Sequence, residues 1–340
     1  KDLLTGQEYV INGAYIVNAT GPWVDDLRAL TNEPVTGKRI RLTKGSHIVI
    51  DKNKLPVRNA VYFDVAGDKR MIFVIPRHTK VYIGTTDTNY EGDKDHIHVS
   101  SQDIEYLLRA VNKMFPAANL HEADIESSWA GLRPLIHKEG KSPSDLSRKD
   151  EIFISKSGLI SIAGGKLTGY RKMAEKVVDL IAADRHKNEG KDFVFCKTEH
   201  IQIHGGDFTI PVDEYIERRT GESKQIDIDR STIKYLVDTY GTDTDIIIEK
   251  AFSLYSQISD ARKRILYAEI QYGIEHEMVT NLSDFLIRRT GKLYFDKQYA
   301  EKEYVVIHAI LGDLLHYDEV TSQLYLQSFK SALAFATIFK

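Results

Sequence analysis

The chain has 340 residues, with 46 Lys plus Arg against 49 Asp plus Glu, a net charge of −3, and 42% hydrophobic residues. That length allows two or three domains with a real core, and the near-neutral charge gives no reason to propose nucleic acid as the main partner and confines any anion site to a local patch. A single cysteine, Cys196, excludes an internal disulfide framework or a cysteine zinc cluster and suits a reducing compartment, and no apolar run approaches the roughly 18 to 20 residues of a membrane span.

In chain order, Lys1 to Tyr9 (KDLLTGQEY) reads as the tip of a hairpin. With no initiating Met, the N-terminal part of the protein is expected to be absent. Tyr15 to Trp23 (YIVNATGPW) has the pattern of a buried strand that stops at Thr20-Gly21-Pro22. Glycine there lets backbone approach another group, as at the carboxyl edge of a parallel sheet, or simply turns the chain into a helix. Val24, Leu27 and Leu30 recur at helical spacing, with Pro22 near the helix start.

From Lys38 to about Trp129 the texture is that of strands. Ile40 and Leu42, Ser46 to Ile50, Ala60 to Phe63, Met71 to Pro76 and Lys80 to Gly84 are short runs rich in β-branched and aromatic residues. They predict an antiparallel sheet. Ser101, as a cap, with Ile104, Leu107, Leu108, Val111 and Met114 predicts a helix ending before Pro116. Polar and cationic groups gather at the strand ends: Thr43-Lys44-Gly45-Ser46-His47, Pro76-Arg77, Gly84 to Thr88, Gly131-Leu132-Arg133-Pro134 and Ser147-Arg148-Lys149-Asp150. Each is ordinary alone, a solvated arginine being the common case, but together they offer the guanidinium forks and lysine that a phosphate or carboxylate needs. His47 is either a ligand to a substrate hydroxyl or a structural strand histidine.

Gly158 to His186 (GLISIAGGKLTGYRKMAEKVVDLIAADRH) reads as strand, double-glycine turn and helix, with helical spacing at Tyr170, Ala174, Val177 and Ile181. Backbone N–H groups and the positive end of a helix macrodipole suit an anion near Lys166, Leu167 and Thr168. The alternative is a glycine turn carrying a solvated lysine. Lys187 to Lys191 is a charged linker, and from about Asp213 the chain reads as a separate helical module. Its stripes are Ile233, Leu236, Val237 and Tyr240, ending at Gly241; a wetter one through Ile265, Ile270, Ile274, Met278 and Val279; Asp284 to Thr290; and Ile307, Ile310, Leu311, Leu314 and Leu315. Arg288-Arg289 is an exposed helix face or a basic edge toward a partner or acidic lipid.

Seven of these pieces in order, from Val17 to Trp23, Thr43 to His47, Pro76-Arg77, Ile83 to Asp87, Gly131 to Pro134, Ser147 to Asp150 and Gly164 to Lys172, closely resemble the FAD-dependent glycerol-3-phosphate dehydrogenases of the aerobic type and the α-glycerophosphate oxidases. Asp284 to Thr290 resembles a segment of their C-terminal helical domain. The resemblance implies a fold of mixed α/β and α+β class. The remainder of an FAD-binding Rossmann-like domain (1–35 and 131–190) flanks an antiparallel-sheet substrate domain like that of the D-amino-acid oxidases (36–130), followed by an all-helical domain (195–340). The dinucleotide fingerprint is expected upstream of Lys1, since no G-x-G-x-x-G occurs in the chain.

By resemblance, Thr20, Gly21, Gly164, Gly165, Lys166, Leu167 and Thr168 are expected at FAD, Arg133, Arg148, Thr85 and Lys166 at the substrate, and Lys166 and His47 in catalysis, with no metal. The implied reaction oxidises glycerol 3-phosphate to dihydroxyacetone phosphate. Electrons are expected to pass to a membrane quinone, because only 14 residues, 134 to 147, separate Arg133 from Arg148, where oxidases of the family carry a long insertion. Oxygen as acceptor, a glycine- or sarcosine-type amine oxidase, and a non-catalytic docking module are the competing readings. A cytoplasmic location at the inner face of the cell membrane, peripheral membrane contact and a homodimer complete the expectations.

Overall fold

The computed structural model describes residues 1–31, 38–65, 67–138 and 149–339. They divide into two compact units, Lys1–Ser46 with Thr86–Ile97 and Ala130–His200, and His47–Thr85 with His98–Trp129 and Ile201–Lys340. The first elements are strand β1 (Val17–Asn18), a 3₁₀ turn (Gly21–Trp23), helix α1 (Val24–Ala29) and strands β2 (Lys38–Asp51), β3 (Val61–Val65), β4 (Asp68–Arg77), β5 (Lys80–Gly84) and β6 (Thr88–Asn89). Helix α2 (Ser101–Met114), strands β7 (Ile125–Lys138), β8 (Asp150–Ile154) and β9 (Ile160–Gly164) and helix α3 (Tyr170–Glu189) follow. The rest is helical: α4 (Val212–Ser223), α5 (Arg230–Tyr240), α6 (Thr244–Ser253), α7 (Ala261–Glu277), α8 (Lys292–Phe295), α9 (Lys297–Leu315) and α10 (Glu319–Phe335).

In the first unit β9 is the middle strand of three, parallel to β1 (Val17↔Ile160, Asn18↔Ser161) and antiparallel to β8 (Ile154↔Ile160, Asp150↔Gly164). One face of β9 buries Ile160 and Ile162 with Val177 of α3, and Ala163 packs with Val24 and Ile136. The expectation of a buried first strand is corrected: only Asn18 of β1 is buried, while Ile16 is 66% and Val17 43% exposed. Among the described residues β1 is an edge strand with β9 as its neighbour. Asp2 closes a turn by bonds to Gln7 and Gly6, with no strands beside it to make a hairpin. Helix α3 continues through Glu189 to a left-handed cap at Gly190, so most of the expected charged linker is its last turn.

In the second unit β3, β4, β5 and the C-terminal part of β2 form the antiparallel sheet expected from alternation and β-branched content. Ile48, Val49, Ile50, Ile72, Val74, Val81 and Ile83 are fully buried in it. The cap of α2 is Ser100, one residue before the predicted Ser101; its hydroxyl accepts from Asp103 N–H at 3.3 Å, and the Asp103 carboxylate accepts from Ser100 N–H at 3.0 Å. That box fixes where the helix begins.

The helical module has two apolar clusters, and α7 supplies both: Ile265, Ala268 and Tyr272 to one, Leu266 and Ile270 to the other. The segment that reads as wet is therefore the most buried helix. Its two buried charges find partners inside. Arg264 Nη1 donates to the carbonyls of Ile258 (2.7 Å) and Ser259 (3.1 Å), and Nη2 to that of Ile226, while Glu269 Oε1 accepts from Tyr235 (2.7 Å) and Tyr240 (2.9 Å). Burial drives both tyrosines well above the ordinary phenol range. The expected Asp284 to Thr290 helix is a π-helical turn, Asp284–Arg289. Arg288 pairs with Asp284 at 2.8 Å and Arg289 Nε donates to the Glu277 carbonyl at 2.8 Å, so both arginines tie this segment together. No helix among the described residues is long and apolar enough to cross a membrane.

His308 of α9 lies buried with Nε2 2.8 Å from Ser322 Oγ of α10. Desolvation holds its imidazole below the ordinary value of 6.5. The folded chain therefore binds fewer protons than the unfolded chain at mildly acid pH, and stability is lost as pH falls below about 6.5. Urea denaturation from pH 7.5 to 5.5 should show that loss, and His308→Gln, which keeps a partner for Ser322, should flatten the curve; identical pH dependence in the two proteins would assign the loss to other groups.

Candidate active site

Parallel pairing of β1 with β9 brings two turns to one edge of the first unit's sheet. Asn18 lies opposite Ser161, so Thr20-Gly21 and Gly164-Gly165 both leave the carboxyl ends of neighbouring parallel strands, where open α/β sheets hold their ligands. Asn18 organises the first turn. Its Nδ2 donates to Val24 O (2.9 Å) and Ser161 Oγ (3.2 Å), and its Oδ1 accepts the Thr20 hydroxyl (2.7 Å). Gly21 has φ +57° with open space where a Cβ would stand.

Gly164 and Gly165 have φ +75° and +77°; a Cβ would lie 2.6 Å from Lys149 O at the first and 2.7 Å from Met173 Sδ at the second. Only glycine meets both demands. The next three residues depart from the expected helix start: Leu167–Gly169 is a 3₁₀ turn, and the α-helix begins at Tyr170. Lys166, Leu167 and Thr168 are exposed, Leu167 to 90%. Bare backbone at Gly21 and a double-glycine turn leading to an exposed cation fit an elongated anionic ligand such as a dinucleotide.

Arg133 belongs to the same unit. Its Nη1 donates to Thr86 O at 3.1 Å and lies 3.4 Å from Asp87 Oδ1. The guanidinium occupies the space that a side chain at residue 45 would need: a Cβ on Gly45 would stand 2.3 Å from Nη2 and 2.5 Å from Nη1. The neighbouring Ser46 is fixed by its N–H bond to Thr86 Oγ1 at 2.9 Å. Gly45 was legible as part of a polar cluster, but its role as the vacancy for Arg133 was not.

His47 and Thr85 belong to the second unit. His47 pairs across β2 and β5 with Gly84, and its ring lies over that glycine: a Cβ there would stand 2.1 Å from Cδ2 and 2.6 Å from Nε2. The imidazole stacks on Trp129, centroids 5.0 Å apart and planes 9° from parallel. Thr85 is half-buried directly after β5. Arg77, grouped with the anion-binding cations on sequence, instead rests over the Phe295 ring at 4.1 Å. Arg148 falls outside the described residues, as does most of the segment between it and Arg133.

Two family models match the chain, FAD dependent oxidoreductase over residues 3–171 and the C-terminal domain of alpha-glycerophosphate oxidase over residues 196–322. The aerobic glycerol-3-phosphate dehydrogenase of Staphylococcus haemolyticus is 46% identical across 99% of this chain and that of Staphylococcus aureus 44% identical across 98%. The chain belongs to the family of FAD-dependent glycerol-3-phosphate dehydrogenases. It spans 60% of the length of each of these two family members. The FAD complex of the glycerol-3-phosphate dehydrogenase from Bacillus halodurans aligns with a TM-score of 0.87 and 36% identity, over 99% of this chain and 65% of that one. In this dehydrogenase-family chain the double-glycine turn is the most constrained part of the site, since at Gly164 a left-handed φ coincides with a backbone oxygen in the way. Gly164→Ala should cost at least about 1–2 kcal/mol from conformation alone; an unshifted denaturation midpoint would mean that the turn relaxes without cost.

Proposed function

We propose that the chain serves FAD-dependent oxidation of sn-glycerol 3-phosphate to dihydroxyacetone phosphate. The observation that carries this reading is the seat of Arg133: a guanidinium oriented by Thr86 and Asp87 in a space kept open by Gly45, in a chain 44–46% identical to dehydrogenases named for this substrate. A fixed guanidinium fork matches a phosphate.

The chemistry that bound FAD would supply is that of a hydride acceptor for C2 of the substrate. The chain's own part falls to a few residues. Thr20, Gly21, Gly164 and Gly165 would hold the cofactor through close backbone approach, and Lys166, Leu167 and Thr168 would offer it a cation and N–H groups. Arg133, with Arg148, holds the phosphate; Thr85 hydrogen-bonds the substrate, and Lys166 reaches it from the cofactor side. His47 takes the hydroxyl proton, the task for which a neutral imidazole is suited.

In domain terms, residues 1–35 and 131–190 serve the flavin, 36–130 the substrate and 195–340 form the cap. The short spacing between Arg133 and Arg148 favours a quinone, met at the inner face of the cell membrane, as electron acceptor over oxygen; peroxide formed stoichiometrically under air would reverse that assignment.

A charge-assisted hydrogen bond contributes roughly 1.5–3 kcal/mol, or about one to two powers of ten in binding. Arg133→Ala in the intact enzyme should therefore raise KM for glycerol 3-phosphate about ten- to a hundredfold while leaving that for glycerol nearly unchanged. Equal changes for the two alcohols would remove Arg133 from the phosphate. Lys166→Ala should slow flavin reduction with FAD still bound, and an unchanged stopped-flow rate would exclude it from catalysis.

A further inference from the structure

The imidazole of His47 is held by one glycine of the resemblance motifs and by aromatic residues outside them. Directly opposite it on β5 stands Gly84, whose missing side chain lets the ring lie down across the strand. The ring then stacks on Trp129 at 5.0 Å, and Tyr82 approaches it at 6.5 Å with planes 53° apart. Trp129 is itself boxed in by Tyr82 (5.9 Å), Tyr294 (5.3 Å) and Phe295 (5.7 Å), the last two from α8 of the helical module. The strand segment that bears Trp129 is tied to that module by backbone. Ser127 Oγ donates to Tyr294 O at 2.6 Å, and Ser128 N–H to Ala336 O at 2.8 Å, both serines being buried.

We propose that Trp129 is a positioning residue for His47, and that the Tyr294–Phe295 segment of the helical module buttresses it, so that this module is part of the proton-transfer apparatus. The inference rests on the reading of His47 as the group that takes the substrate's hydroxyl proton. An exposed strand histidine samples several rotamers, most of which point its nitrogens away from a substrate. A parallel aromatic face and a vacancy opposite leave one ring plane, and stacked rings gain about 0.5–1.5 kcal/mol beyond burial. That is enough to select one rotamer by about threefold to tenfold. Because Trp129 contacts the histidine and Phe295 contacts Trp129, loss of either acts on orientation without removing a substrate-binding charge.

The test is a double-mutant cycle in the FAD-loaded intact enzyme, read by stopped-flow flavin reduction at saturating glycerol 3-phosphate. Trp129→Leu is expected to slow reduction about threefold to tenfold, the rotamer preference lost with the stacked face, with KM changed less than about twofold. Trp129→Phe, which keeps an aromatic face, should restore most of the rate. In the His47→Asn background Trp129→Leu should have no further effect. Multiplying effects in the double variant would overturn the proposal by showing that Trp129 acts independently of His47, and an unchanged rate in Trp129→Leu would overturn it outright. A normal rate in His47→Asn alone would instead sink the reading of His47 itself, and the inference with it. Should Trp129→Leu fail to fold, Phe295→Ala enters the same cycle with the same expected signs.

Discussion

The parallel pairing of β1 with β9 is the constraint on which the first unit depends. It is only two residues long, Val17↔Ile160 and Asn18↔Ser161, yet it decides which turns share an edge. A shift of one residue would flip Asn18 out of the interior, where it now joins Val24, Ser161 and Thr20. The same strand β9 carries Ile160, Ile162 and Ala163 into the core and then ends abruptly at two left-handed glycines. Burial along the strand therefore positions an unstrained opening at its end, the arrangement that phosphate-bearing cofactors use in open α/β sheets.

Two polar side chains, Arg133 and His47, are placed by residues that lack a side chain. Gly45 leaves room for the Arg133 guanidinium, and Gly84 for the His47 ring. In both cases the space is fully used, so an added methyl group has nowhere to go unless the arginine or histidine moves. Aromatic packing then does for His47 what hydrogen bonds to Thr86 and Asp87 do for Arg133. Orientation comes from rigid neighbours in each case, so both side chains are ordered before any ligand arrives.

The sequence made the alternating strands β2 to β5, the helix after Ser100 and the Gly164-Gly165 turn legible, because period, caps and glycine pairs are local signals. It concealed properties that belong to pairs. Helix α7 reads as wet because Arg264 and Glu269 interrupt its apolar pattern, yet the carbonyls of Ile258, Ser259 and Ile226 accept from the Arg264 Nη atoms and the hydroxyls of Tyr235 and Tyr240 donate to Glu269 inside. Strands β7 and β8 escaped notice because proline, arginine and charged residues mask their alternation. The stacking of Trp129 on His47 joins residues 82 positions apart (129 − 47), and the resting place of Arg77 on Phe295 is equally remote. No local pattern encodes either contact.

The central claim is that the glycine turns at the ends of β1 and β9 serve a flavin that glycerol 3-phosphate reduces. Its most direct test is the visible absorption spectrum of the intact enzyme carrying this chain, recorded anaerobically before and after glycerol 3-phosphate is added. The account predicts a yellow protein whose flavin bands bleach on addition of the phosphate ester. A colourless protein, or bound flavin that the phosphate ester leaves oxidised, would contradict it.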